Sequence, residues 1–154
     1  MSSTTTIQQK PELEQLPHSR QVLECPPVSE VFNAIADDKA LTMLNTVALT
    51  AGKSDILIST LDLTRKQFYS KIERLIKQGL IVRRNGRYFL TTLGKILYEL
   101  QNIMGVALNN FWKLKAIDSL QNPPGLPESE LNQLVDSLLE NTVLKNIILA
   151  KVKS

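Results

Sequence analysis

With 154 residues, 43% of them hydrophobic and 21% charged, the chain can close a core without disulfides or a structural metal. One cysteine, Cys25, and one histidine, His18, exclude an intramolecular disulfide and a Cys/His metal cluster within one chain. No run reaches the roughly 18 apolar residues of a membrane span, and the polar start MSSTTTIQQK lacks the apolar centre of a secretory signal, so a cytoplasmic protein off the membrane is expected.

The net charge of +3 is unevenly spread. Residues 64–95 hold nine cations, Arg65, Lys66, Lys71, Arg74, Lys77, Arg83, Arg84, Arg87 and Lys95, against Glu73 alone. That window carries +8 and leaves −5 for the rest of the chain. A basic segment inside an otherwise acidic chain implies a localised anionic partner.

In chain order, residues 1–28 are rich in Ser, Thr, Gln, Glu and Pro without a sustained apolar period, which predicts a disordered tail holding both Cys25 and His18. SEVFNAIA from Ser29 predicts a short turn or helix. Asp37 can cap a second helix, DDKALTMLNTVALTA, with Leu41, Leu44, Val47 and Ala48 on one face and Gly52 as its stop. Ser54 is then placed to cap DILISTL, and Asp62-Leu63 leaves room only for a tight turn.

The next helix opens on Thr64 with Gln67 three residues on, the spacing of a capping box, and closes at Gly79, which suits a left-handed C′ position. At 100° per residue Phe68, Ile72, Leu75 and Ile76 share one side. Lys66, Ser70, Glu73, Arg74 and Lys77 share the other. LIVRR and RYFLT flank Asn85-Gly86, a strong hairpin signal because a type I′ turn needs positive φ at both central residues. From Thr91 to Asp118 a single helix of about 26 residues is predicted, with Gly105 as its weak point. Leu93, Leu97, Leu100, Met104, Ala107, Phe111 and Leu114 repeat in steps of four and three, the seam of a helical dimer. QNPPGLP breaks the pattern. A last amphipathic stretch follows, with Leu131, Leu134, Val135, Leu138 and Leu139 on one face and Asn141-Thr142 as a possible divide. Folded back on the long helix of its own chain, it would bury both stripes without a dimer.

Helix, short helix, tight turn, capped basic helix and hairpin form a helix-turn-helix with an appended wing. A helix fits the DNA major groove, where the base edges carry a distinct donor and acceptor pattern. The stretch LTRKQFYSKIERLIKQGLIVRRNGRYFLTTLGK resembles winged helix-turn-helix transcription regulators of the ArsR/MarR type, notably small archaeal ones. The likeness covers residues 38–95 and rests on Leu63-Thr64, on Gly79-Leu80-Ile81, and on Tyr88-x-Leu90-Thr91 with Leu93-Gly94. It implies that Arg65, Lys66, Gln67, Tyr69 and Ser70 sit in the base-reading half of the recognition helix and that Arg83, Arg84, Asn85 and Arg87 form the wing. The chain lacks the cysteine and histidine clusters of metal-sensing members.

The expected fold is mainly α (α+β), divided into the tail 1–28, a winged helix-turn-helix domain 29–95 and helical dimerisation region 96–154. The expected function is sequence-specific binding of double-stranded DNA by a homodimer that regulates transcription. Arg83, Arg84, Arg87, Lys71 and Arg74 would grip phosphates, while Lys66, Gln67 and Ser70 would discriminate bases. The alternative is a winged-helix module that binds protein in a transcription or polymerase assembly, which calls for an apolar patch on the exposed helix face. No nucleophile-base pair, phosphate-cradling glycine loop or usable histidine is present, so no catalytic residue, metal or cofactor is expected.

Overall fold

The computed structural model describes residues 25–121 and 126–150, with the side chain of residue 121 left aside. Most of the expected tail, including His18, and the centre of QNPPGLP lie outside the described residues; Cys25 lies within them and is exposed. The described chain is mostly helical, with a single two-stranded antiparallel sheet. Its elements are α1 (Val28–Ala34), α2 (Asp38–Thr50), α3 (Ser54–Thr60), α4 (Arg65–Lys77), β1 (Ile81–Arg84), β2 (Arg87–Leu90), α5 (Thr92–Asn109), α6 (Phe111–Gln121), α7 (Glu128–Leu138) and α8 (Thr142–Leu149). None of the described helices is long and apolar enough to cross a membrane.

Local chemistry accounts for most boundaries. Asp37 caps α2 by accepting the Ala40 N–H at 2.9 Å. Thr42, Thr46 and Thr50, four residues apart, turn their hydroxyls back onto the carbonyls of Asp38, Thr42 and Thr46 and mark the helix's outer stripe. The buried stripe is accordingly Ala40, Met43, Leu44 and Val47. Leu41 and Ala48, expected on that face, are only half-buried. The stop of α2 is Ala51 in the left-handed region (φ 44°), not Gly52. Gly52 instead offers its carbonyl to the Tyr88 N–H at 3.2 Å, and its neighbour Lys53 pairs with Arg87 as an isolated bridge. That pairing holds Lys53 extended, so Lys53 rather than Ser54 is the cap residue of α3. Ser54 begins the helix, with its hydroxyl 3.5 Å from that of Tyr88.

Thr64 and Gln67 form the expected capping box of α4, side chain to backbone in both directions at 3.0 and 3.2 Å. At the other end Gly79 (φ 72°) donates to Ile76 O, and Leu80 donates to Leu75 O at 3.0 Å, a Schellman closure. Asn85 (φ 50°) and Gly86 (φ 74°) make the two-residue turn of the hairpin, in the register Ile81↔Leu90, Val82↔Phe89, Arg83↔Tyr88 and Arg84↔Arg87. Thr91 caps α5 through Gly94 N–H and donates its own hydroxyl to Gly79 O, so the start of α5 is tied to the end of α4. Gly94 lies against the chain so closely that a Cβ would meet Leu80 O at 2.0 Å.

The single long helix expected after the hairpin is two. The chain passes Gly105 without interruption and breaks at Asn110, whose side-chain amide donates to Val106 O at 2.9 Å and competes with the helical ladder. The divide at Asn141-Thr142 is present, and Asn141 caps α8 through Leu144 N–H.

Two apolar clusters result. The first gathers α1 to β2 around Met43, Leu44, Leu57, Phe68, Ile72, Leu75, Leu80, Ile81 and Tyr88, and it also takes in Leu97 of α5. Each side chain so buried contributes about 1.5–3 kcal/mol. The second joins α5 to α8 around Ile117, Val135, Leu139 and Leu144, so the last helices fold back on α5 and α6 of their own chain. The expected division between residues 95 and 96 falls inside α5, which runs through it unbroken.

Candidate nucleic-acid interface

The aromatic ring of Phe68 anchors α4. It is fully buried and meets Tyr88 of β2 edge-on at 5.8 Å, so helix and hairpin are fixed to one another from inside. With Phe68, Ile72 and Leu75 turned inward, Arg65, Lys66, Ser70, Glu73, Arg74 and Lys77 are left exposed. Ile76, expected in the core, is 37% exposed. Tyr69 is 42% exposed and packs edge-on against Phe68 at 5.3 Å, a boundary position.

Two residues expected in the interface are otherwise engaged. Lys71, expected to grip a phosphate, is half-buried, and its ammonium lies 2.8 and 2.9 Å from the two carboxylate oxygens of Asp37. It therefore ties α4 to the N-terminus of α2. The same bond holds the Asp37 carboxyl below its ordinary range; burial opposes this, and the Ala40 N–H adds to it. The Gln67 side chain spends its acceptor oxygen on the Thr64 N–H, which leaves only its NH₂ group for a partner and no bidentate donor-acceptor pair.

On the hairpin the three arginines do not act as one group. Side chains alternate across a strand, and directly opposed residues share a face. Ile81, Arg83, Tyr88 and Leu90 therefore share the inner face, where the Arg83 guanidinium lies 5.7 Å from the centre of the Tyr88 ring. Arg84 and Arg87 are opposed on the outer face and line a cleft of about 890 Å³ with Asn85, Thr91, Thr92 and Lys95. Lys53 is the basic residue that sequence reasoning missed. Its place beside Arg87 depends on a backbone bridge across 34 positions, and its one local signal is a cation next to Gly52.

Of the nine cations in 64–95, only Lys71 is ion-paired among the described residues; the other pairs, Lys115–Asp118 and Lys145–Asp136, lie in the C-terminal half. Glu73, the one acid on α4, forms no ion pair with these cations among the described residues.

The expected dimer seam divides. Leu97 is buried in the first cluster at 4% exposure, and Ala107 and Leu114 pack on the second, so these three serve their own chain. Leu93, Leu100, Met104 and Phe111 remain exposed, and Ile96 and Leu108 join them. The exposed stripe thus runs Ile96, Leu100, Met104, Leu108, in steps of four. It borders an apolar groove of about 650 Å³ that also takes in Phe32 and Ile147. Trp112, just past the break, is 80% exposed.

No protein-family model, curated protein or solved structure matches the chain. The functional reading therefore stands on the surface itself.

Proposed function

We propose that this chain is a winged helix-turn-helix protein that binds double-stranded DNA as a homodimer and regulates transcription. One observation carries the reading: eight cations on α4, the hairpin and the first turn of α5 have no carboxylate partner among the described residues, although acidic residues pair with lysines elsewhere. Surfaces of fixed cations without counter-charge bind polyanions by releasing the counterions of the polyanion. A rigid helix presenting Lys66, Ser70 and Arg74 beyond a capped N-terminus has the width that a major groove admits.

In this reading α4 is the recognition helix and β1–β2 the wing. Lys66 and Ser70 carry base discrimination, because the capping box occupies Gln67. Arg84, Arg87 and Arg74 hold phosphates. The exposed stripe of α5 takes the second copy, and a twofold pair of recognition helices sets half-sites about one turn, roughly 10 bp, apart.

Selection of bound sequences from a random duplex pool tests this. An enriched motif with two half-sites is expected. No enrichment would turn the reading to the rival, a protein-binding module, for which Tyr69 and Ile76 are the large apolar side chains exposed on α4.

A further inference from the structure

Register places three cations side by side. Arg84 of β1 is directly opposite Arg87 of β2, and Arg87 is in turn opposite Lys53 on its other flank. Opposed residues project from the same face, so Lys53, Arg87 and Arg84 form one row across the hairpin and the segment beside it. The Arg84↔Arg87 pair closes the two-residue turn. The Lys53↔Arg87 pair lies next to the Tyr88 N–H to Gly52 O bond. With opposed Cα atoms about 4.5–5.5 Å apart, the row spans roughly 10 Å.

Like charges directly opposed in a ladder destabilise it, and ordinarily an acid intervenes. None does here: Lys53, Arg84 and Arg87 are all exposed and have no ion-pair partner among the described residues. Neither a role in keeping a sheet edge soluble, for which one cation suffices, nor any packing role accounts for three in register.

We infer that Lys53, Arg87 and Arg84 are one phosphate-binding row, and that Lys53, at the mouth of α3, is a backbone contact of the interface. The ligand chemistry is the phosphate oxyanion. On the DNA reading above, on which this rests, its source is a strand carrying one phosphate per about 3.4 Å of helix axis, so a row of this width meets more than one. The repulsion stored in the free protein is relieved when the anions arrive.

The test uses the full chain and two probes. Duplex affinity is measured across a salt series for the wild type and Lys53→Gln. Thermal melting is followed in sodium pyrophosphate against sodium chloride at equal ionic strength. Lys53→Gln should reduce the salt slope by about 1, equally on all sequences, and should lose the rise in melting temperature that pyrophosphate gives the wild type. Lys53→Glu, which sets a carboxylate beside Arg87, should melt higher than the wild type in chloride while losing the response to pyrophosphate. If the wild type fails to bind any duplex but keeps a pyrophosphate response that depends on Lys53, the DNA reading falls and the row stands as a site for free phosphate compounds. If Lys53→Gln leaves slope and response unchanged, the row is overturned while the DNA reading, carried by eight cations that do not include Lys53, is untouched. A Lys53→Glu protein that melts lower in chloride would equally overturn it, by showing that no repulsion was there.

Discussion

Helices α4 and α5 are both amphipathic and adjacent through the hairpin, yet they leave opposite things undone. α4 buries Phe68, Ile72 and Leu75 completely and turns outward a set of cations that form no ion pair among the described residues. α5 buries Gly94 and Leu97 and leaves Leu93, Ile96, Leu100, Met104 and Leu108 facing water. The difference lies in what reaches each helix. Around α4 the hairpin, α1 and α2 close the first core from several sides, whereas α2, β2, α6 and α8 reach α5 but leave one flank of it bare. An amphipathic period says that a face seeks cover; it does not say which neighbour supplies it. Here one face carries unpaired cations and the other uncovered apolar side chains, so the two faces differ in chemistry although both helices are amphipathic.

The largest effect that would sharpen this contrast comes from one substitution made twice in α5. Gly94→Ala forces a Cβ into Leu80 O and should cost on the order of 3 kcal/mol. Gly105→Ala has open space and should stabilise the helix by about 0.5–1 kcal/mol. Urea unfolding of both variants checks the pair: similar signs would mean that the two ends of α5 are equally packed.

The uncovered stripe is broken by changing Leu100 and Met104 to glutamate. In sedimentation at micromolar concentration the wild type should run at twice 17.3 kDa and the variant near 17.3 kDa. Specific DNA affinity should fall sharply, with weak, salt-sensitive binding retained. A wild-type mass of one chain would remove the second copy from that face.

A smaller effect concerns Asp37, the residue that neutralises Lys71 and so marks the boundary of the basic surface. Its folded carboxyl titrates below the ordinary aspartate value of about 3.9, so its contribution is present at neutral pH. That contribution is lost as pH falls below about 4, through the depressed folded value. Asp37→Ala should cost about 1 kcal/mol at pH 7 through the lost cap and flatten the acid limb. Asp37→Asn should keep the cap and lose the pH dependence. Unfolding free energy measured from pH 7 to pH 3 separates them.

What could be read from sequence was local. The Thr64–Gln67 box, the Asp37 cap, the Asn85-Gly86 turn and the Asn141 divide each depend on chemistry within three or four residues, and each is present. Misplaced features depend on contacts from afar. Ser54 lost its cap role because Lys53 is held by Arg87, and Leu97 left the seam because the first core reaches it. Lys71 left the basic surface because Asp37 sits 34 positions away. The break at Asn110 is the exception: its cause is local, an amide four residues from Val106 O, but the heptad pattern across it masks the signal.

The most direct test is the salt dependence of duplex binding by the wild type and by the Arg84→Ala/Arg87→Ala double variant. If uncompensated cations on the hairpin meet phosphates, the logarithm of the wild-type affinity falls linearly with the logarithm of salt, and the double variant binds all duplexes more weakly with a slope reduced by about 2. An unchanged slope, or wild-type binding indifferent to salt, would contradict the reading of this surface as a DNA interface.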